Sequence, residues 1–231
     1  MRVSSGGIVA PAVGSELAIE TVHLARGESL EVGSTEDDSL LFLLAGHGMV
    51  SVAGGHAVHA GAAVLVLADE TARLTGGEDG LTAVRASIGP RVDRHAPLGS
   101  REMLVATERV EAGSATGKRS FQVLFGPHNG LTRATLFVGH VPPGAAPWHF
   151  HLYDEIVWIW LGEGRFHTHA GAEPLAAGSA FRISPREVHI VENTSTAEEL
   201  VVVGLFTPAG SPSAAYLAVD EGVEYAIEGA R

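Results

Sequence analysis

His149 and His151 stand two residues apart in PWHFHLYDEIVWIWLG, and Glu155 follows four residues later. On a strand alternate side chains share a face, so the two imidazoles point the same way. Glu155 opens the apolar run EIVWIWL. If it faces inward, Val157 and Ile159 do too, and Trp158 and Trp160 face the opposite side. A further segment, GSAFRISPREVHIVEN (178–193), supplies His189 and, four residues on, Asn193. Two histidines and a carboxylate from one hairpin, joined by a histidine from a distant strand, can enclose one divalent ion. Imidazole suits Fe, Ni, Cu or Zn, and the carboxylate brings in Mn. Four protein ligands on an ion that prefers six leave positions for substrate, water or dioxygen. An inward glutamate without such a partner would carry a large desolvation cost.

The elements that must position these groups read as strands. LLFLLAG (40–46), MVSVAG (49–54), AAVLVLA (62–68), RATLFVGHV (133–141), EIVWIWLG (155–162), VHIVEN (188–193) and ELVVVGLF (199–206) are short, mostly rich in β-branched or aromatic residues, and bounded by turn formers. With 29 glycines and 11 prolines in 231 residues, the chain is expected to be all-β with many tight turns. The one helical candidate is 213–228, interrupted by Gly222. The two halves resemble each other: Gly46, Gly48 and Gly55 match Gly162, Gly164 and Gly171 at a constant spacing, and Gly61 matches Gly178 after one inserted residue. Such a repeat implies two copies of one β module. The boundaries expected are an N-terminal module at 1–90, a linker at 91–114 and a C-terminal module at 115–231.

Composition narrows the function classes. The net charge is −12, and Lys118 is the only lysine. Such a surface repels nucleic acid and anionic membranes. There are no cysteines, so disulfides, thiolate metal sites and cysteine nucleophiles are excluded. No apolar run approaches a membrane helix, and MRVSSGGIVAPAVG lacks a secretory apolar stretch. A cytoplasmic protein is the expectation. Of 12 histidines, seven lie between His128 and His189.

The spacing of these groups resembles the cupin superfamily, whose first motif is approximately G-x5-H-x-H-x3/4-E-x6-G. Here Gly144, His149, His151, Glu155 and Gly162 fit it, with four residues instead of five before His149. Gly178, His189 and Asn193 fit the second motif, G-x5-P-x-G-x2-H-x3-N, but Ser184 replaces its proline and Arg186 its glycine. The resemblance covers about 15–90 and 115–208. It implies two tandem double-stranded β-helix (jelly-roll) barrels. His149, His151, Glu155 and His189 would be ligands of one divalent transition metal (Fe, Mn, Ni, Cu or Zn) per chain. In the N-terminal copy Gly33 and Thr35 take the histidine slots, Ser39 the glutamate slot and Ala72 the last histidine slot. That barrel is expected to be metal-free. The ligand set is similar to that of quercetinase-like dioxygenases, which implies a metal-dependent enzyme acting on a small organic molecule, with Glu155 moving between ligand and general base. A non-redox lyase, isomerase or hydrolase, and a non-catalytic binding protein, use the same ligands.

Trp148, Phe150 and Tyr153 surround the ligands, and Phe181 and Ile183 face away from Arg182; these five are the expected substrate-binding residues. Arg133, Arg182 and Arg186 are candidates for a substrate carboxylate, or for surface and interface roles. His47, His56 and His59 fall outside the motif slots, and His167 and His169 are expected to point out of the barrel. Trp158 and Trp160 should bury between the two modules; if the N-terminal copy does not cover them, they predict a homodimer. The segment PAGSPSAAYLAVDEG either covers the barrel mouth or ends the fold.

Overall fold

A computed structural model describes residues 3–4, 8–9, 12–52, 54–115 and 118–217. Strands dominate, as the sequence predicts. The N-terminal module contains β1 (Leu17–Leu24), β2 (Ser29–Gly33), β3 (Asp38–Ser51), β4 (Gly55–His59), β5 (Ala62–Val66) and β6 (Thr71–Ile88). The long β3 and β6 pair along most of their length, and β1 and β2 both pair with β6. β7 (Leu104–Ala106) pairs with β5, so part of the expected linker extends the N-terminal sheet.

The C-terminal module packs two sheets face to face. One carries β8 (Gly113–Ser114), β9 (Ser120–Phe125), β10 (Thr135–Val141), β13 (Asp154–Leu161), β16 (Ala180–Ile183) and β18 (Leu200–Thr207). The other carries β11 (Gly144–Ala145), β12 (His149–His151), β14 (Glu163–Thr168), β15 (Gly171–Ala176), β17 (His189–Asn193) and β19 (Ala215–Leu217). All pairings are antiparallel. The expected helix at 213–228 begins instead with the strand β19, and 218–228 lie outside the described residues. No helix among the described residues is long and apolar enough to cross a membrane.

The glycine repeat has a conformational cause. Gly46 and Gly162 have φ of 78° and 89°, and Gly61 and Gly178 have φ of 85° and 87°. Side chains rarely adopt these values, so both copies keep glycine at the same two turns. β3 lies between β6 and β5, and β13 lies between β18 and β16, so the two modules repeat in topology as well.

One apolar cluster joins the modules. Leu40, Phe42 and Ile88 from the first pack with Leu136, Ile156, Trp158 and Leu205 from the second. The edge of Trp160 rests on Phe42 (centroids 5.0 Å apart), and its indole N–H donates to the Leu44 carbonyl at 3.0 Å. The tryptophan face is therefore covered within the chain, which removes the reason for expecting a dimer through it.

Two aspartates, the buried Asp38 and the partly buried Asp154, pin the same seam at the starts of β3 and β13. Asp38 faces Arg133, whose guanidinium donates to the Glu36 carbonyl at 2.6 Å. Asp154 accepts two contacts from Arg182 (2.7 and 2.9 Å), and Arg182 also donates to the Leu17 carbonyl at 2.7 Å. Arg133 and Arg182 thus hold the modules together rather than facing a ligand. Asp154→Ala leaves a largely buried guanidinium without its carboxylate and should cost about 3–5 kcal/mol. Glu31→Ala, which breaks the exposed pair with Arg73, should cost about 1 kcal/mol or less. Urea unfolding of the two variants checks the contrast.

Candidate metal centre

β12, β13 and β17 bring the four expected ligands together. His149, His151, Glu155 and His189 are 8%, 2%, 5% and 2% exposed, and all four line one cavity of about 110 Å³ inside the C-terminal barrel. β12 and β17 pair with His149 directly opposite His189, and their rings lie 4.4 Å apart. His189 also meets His151 edge to face at 5.1 Å.

Each imidazole spends one nitrogen on the backbone. Nδ1 of His149 donates to the Pro147 carbonyl at 3.0 Å, Nδ1 of His151 to Tyr153 at 2.9 Å, and Nδ1 of His189 to Glu187 at 2.8 Å. A carbonyl only accepts, so Nδ1 carries the proton in all three and Nε2 is left as a lone-pair donor. This is the second-sphere arrangement of metal-binding histidines. Burial makes the charged form costly. It lowers the pKa of His149 to about 4, with smaller contributions from Arg119 and His151, and it holds that of His189 well below 6.5. Neutral imidazole is the form that binds metal.

His151 Nε2 lies 2.9 Å from Glu155 Oε2, yet the geometry makes no hydrogen bond, and Nε2 is a buried polar atom without a hydrogen-bond partner. Such an atom needs an explanation, and a cation between imidazole and carboxylate supplies one. Among the described residues no three His, Asp or Glu groups converge at coordinating distances. The fit therefore rests on the donor set, the fixed tautomers and the orphaned nitrogen, not on a closed coordination sphere.

Neighbouring elements clear the space around these groups. In β18, Gly204 lies opposite Val157; a Cβ there would fall 2.2 Å from the Phe137 ring and 2.9 Å from Glu155 Oε1. Phe206, Tyr153 and His151 form a stack with successive centroids 4.0 Å apart, which fixes the His151 ring plane. Burial and the Glu155 carboxylate raise the Tyr153 pKa, so its hydroxyl stays protonated. The turn Ser184–Glu187 has the pattern of a type II turn: Pro185 in the second position, Arg186 with φ 65° in the third, and Glu187 N–H donating to the Ser184 carbonyl at 3.0 Å. Arg186 thus takes the conformation that glycine would favour, and its N–H donates to the His151 carbonyl at 2.7 Å. Asn193 donates to the Val141 and Glu198 carbonyls, both at 2.8 Å, and so secures the far end of β17.

Of the expected substrate residues, Tyr153 and Ile183 line the cavity and three do not. Trp148 precedes β12 on the outside, stacked on His169 with centroids 6.2 Å apart. Phe150 alternates with the two histidines and so faces away from them. Phe181 is fully buried against Phe166 in the barrel core. His167 points out of the barrel as expected, but it is buried there against Glu192 at 2.7 Å. Pro212, Ser213 and Ala215 line the cavity, so the segment after β18 covers its mouth. Sequence reasoning missed Arg119, which lines the cavity just ahead of β9, and also Phe137 and Gly139. No spacing rule marks Arg119; its only signal was scarcity, since the chain has 15 basic residues in all.

In the N-terminal barrel the same positions are apolar or small. Val32 stands opposite Ala72, so the register puts valine, not Gly33, in the slot of His149. Ser39 is buried at the position of Glu155. Leu41, Leu43, Val50, Val64 and Leu74 fill the interior.

Residues 137–206 match the family model described as a cupin domain. No curated protein matches the chain. Solved structures with the same fold include protein Ylba from E. coli, of the family model DUF861. It has a TM-score of 0.70 and 11% identity over 89% of this chain and 82% of that one. AerE from Microcystis aeruginosa gives 0.69 and 12% over 84% and 88%. A mutant of Bacillus subtilis oxalate decarboxylase OxdC gives 0.67 and 14% over 84% and 70%, and that enzyme has Mn(II) centres. At these identities the likeness is one of fold. It extends over both barrels, because the matches span most of the chain.

Two outcomes follow from the buried site. Above pH 6.5 the folded and unfolded chains both hold the His149 and His189 imidazoles neutral. Below it the unfolded chain takes up protons that the folded chain refuses until about pH 4. The metal-free protein should therefore lose stability as pH falls from 6.5 towards 4. Thermal melts across that range test this, and His149→Phe should flatten the slope. Gly204→Ala should cost about 1–3 kcal/mol by forcing Phe137 and Glu155 aside, seen as a lower melting temperature and a displaced Glu155 in a crystal structure.

Proposed function

We propose that the C-terminal barrel is the active site of a metal-dependent bicupin enzyme acting on a small organic molecule. One divalent transition ion would be held by His149, His151, Glu155 and His189. The observation that supports this most is the set of three imidazoles with Nδ1 tied to backbone carbonyls and Nε2 left as donor beside a buried carboxylate. The N-terminal barrel, with Val32, Ser39 and Ala72 at the matching positions, would carry no metal and serve as the scaffold.

The first reading of the reaction is a dioxygenation of quercetinase-like type on an enolisable substrate. An ion in this ligand set supplies a Lewis acid that lowers the pKa of a substrate oxygen and, when redox-active, a route to dioxygen. The protein groups have separate tasks. Glu155 accepts and returns the substrate proton. Tyr153, kept protonated, offers a neutral hydroxyl, and Phe137, Val157 and Ile183 exclude water. The cavity limits the size of the substrate. At about 110 Å³ it is smaller than a cavity of about 150 Å³ that takes benzene, so the likeness to quercetinases concerns ligand set and reaction rather than a three-ring substrate. A non-redox lyase, isomerase or hydrolase is favoured by one observation: a cationic side chain, Arg119, shares the cavity and suits a substrate that is already an anion.

Elemental analysis of protein purified without added metal tests the proposal. About one ion per chain is expected, lost on His149→Ala; less than about one ion per five chains, unchanged by that substitution, would overturn it. Oxygen uptake with an enolisable substrate separates the two reactions, since the non-redox reading requires none.

A further inference from the structure

Arg119 is the one arginine or lysine among the described residues that line the cavity. Its charge reaches four other groups of the wall: it contributes to the downward shifts of His149 and His189, opposes the upward shift of Tyr153, and is itself favoured by Glu155. Burial makes this charge expensive, and desolvation is the largest influence on it. Arg119 lies just ahead of β9 and lines the same cavity as the three imidazoles.

We infer that Arg119 makes the site selective for a small carboxylate that carries a second oxygen on the adjacent carbon. This deepens the proposed function and rests on it. The argument is one of charge and size. With three neutral imidazoles, Glu155 and Arg119 cancel, so a bound dication leaves the cavity with a net charge of about +2 in surroundings of low dielectric. A neutral substrate leaves that charge uncompensated; a carboxylate offsets part of it. A guanidinium presents paired N–H donors that match the two oxygens of a carboxylate. Scaled from a benzene-sized cavity, the enclosed space takes about four or five non-hydrogen atoms, which is a carboxylate with its α-carbon and α-oxygen; any remainder of an α-hydroxy or α-keto acid would point to the mouth. Its carboxylate faces Arg119, and its α-oxygen faces the imidazole cluster.

Calorimetric titration with lactate and with lactamide, its uncharged counterpart, tests the inference on the full chain as purified, with the metal content of every sample measured. Wild type should bind lactate and discriminate against lactamide. Arg119→Gln should weaken lactate binding about 10- to 100-fold without changing the metal content, and Arg119→Lys should fall between the two. Equal lactate affinity in wild type and Arg119→Gln overturns the inference, as does failure of the wild type to bind lactate, glycolate or pyruvate. Loss of metal from Arg119→Gln also overturns it, because the residue would then act by holding Glu155 in place. A chain that lacks metal yet binds lactate in an Arg119-dependent way upholds the anion site and defeats the proposed metal enzyme, so the two readings fail separately.

Discussion

A buried imidazole has two nitrogens to satisfy, and the site depends on how the chain does it. Three times it gives Nδ1 to a backbone carbonyl two residues away: Pro147 for His149, Tyr153 for His151 and Glu187 for His189. The spacing is local, so a short stretch of extended chain sets both tautomer and ring orientation. Burial then keeps the His149 and His189 rings neutral. Together these turn three histidines into lone-pair donors around Glu155, where an ordinary core would leave them as polar liabilities.

The second barrel can hold such a site because the first does not. Val157 faces Gly204 across β13 and β18, whereas Leu41 faces Arg85 across β3 and β6. A glycine in one copy and an arginine in the other decide whether there is room behind the glutamate position. In the N-terminal copy Arg85 pairs with its cross-strand neighbour Glu20 on β1, and leucine and valine occupy the interior. That filled barrel contributes an apolar wall and one of the two aspartate anchors, Asp38, to the seam. The C-terminal barrel, weakened by its cavity and buried polar groups, is braced from outside.

The all-β class, the repeat of strand order and the convergence of His149, His151, Glu155 and His189 on one cavity were legible because each rests on periodicity or spacing. His149 and His151 share a face by strand geometry, and the matched glycines recur because the same two turns demand positive φ. The misreadings have equally physical causes. Trp148 and Phe150 were read by proximity in sequence, but alternation along β12 sends Phe150 to the opposite face from the ligands. Phe181 has the right parity but sits deeper in the barrel than Ile183 and packs on Phe166. Val32 replaced Gly33 in the histidine slot because sequence alignment of the repeat is one residue out of step with the ladder between β2 and β6. Arg119 comes from a hairpin outside the conserved spacing, and only tertiary contact brings it to the cavity.

The strand that carries His149 and His151 is only three residues long and has little support from the barrel. It pairs with β17 at a single position, His149 opposite His189, and over its full length with β19. The segment leading into β19 is also the one that places Pro212 and Ser213 over the cavity. So few ladder bonds cannot by themselves hold two side chains to the tolerance that coordination or proton transfer needs. The stack of His151 on Tyr153 and Phe206, the bond from the Arg186 N–H to the His151 carbonyl, and the Nδ1 bonds take over that task. Ligand geometry and cavity closure therefore share one element. Whatever displaces β19 opens the mouth and at the same time removes the longer of the two ladders that hold the histidine strand.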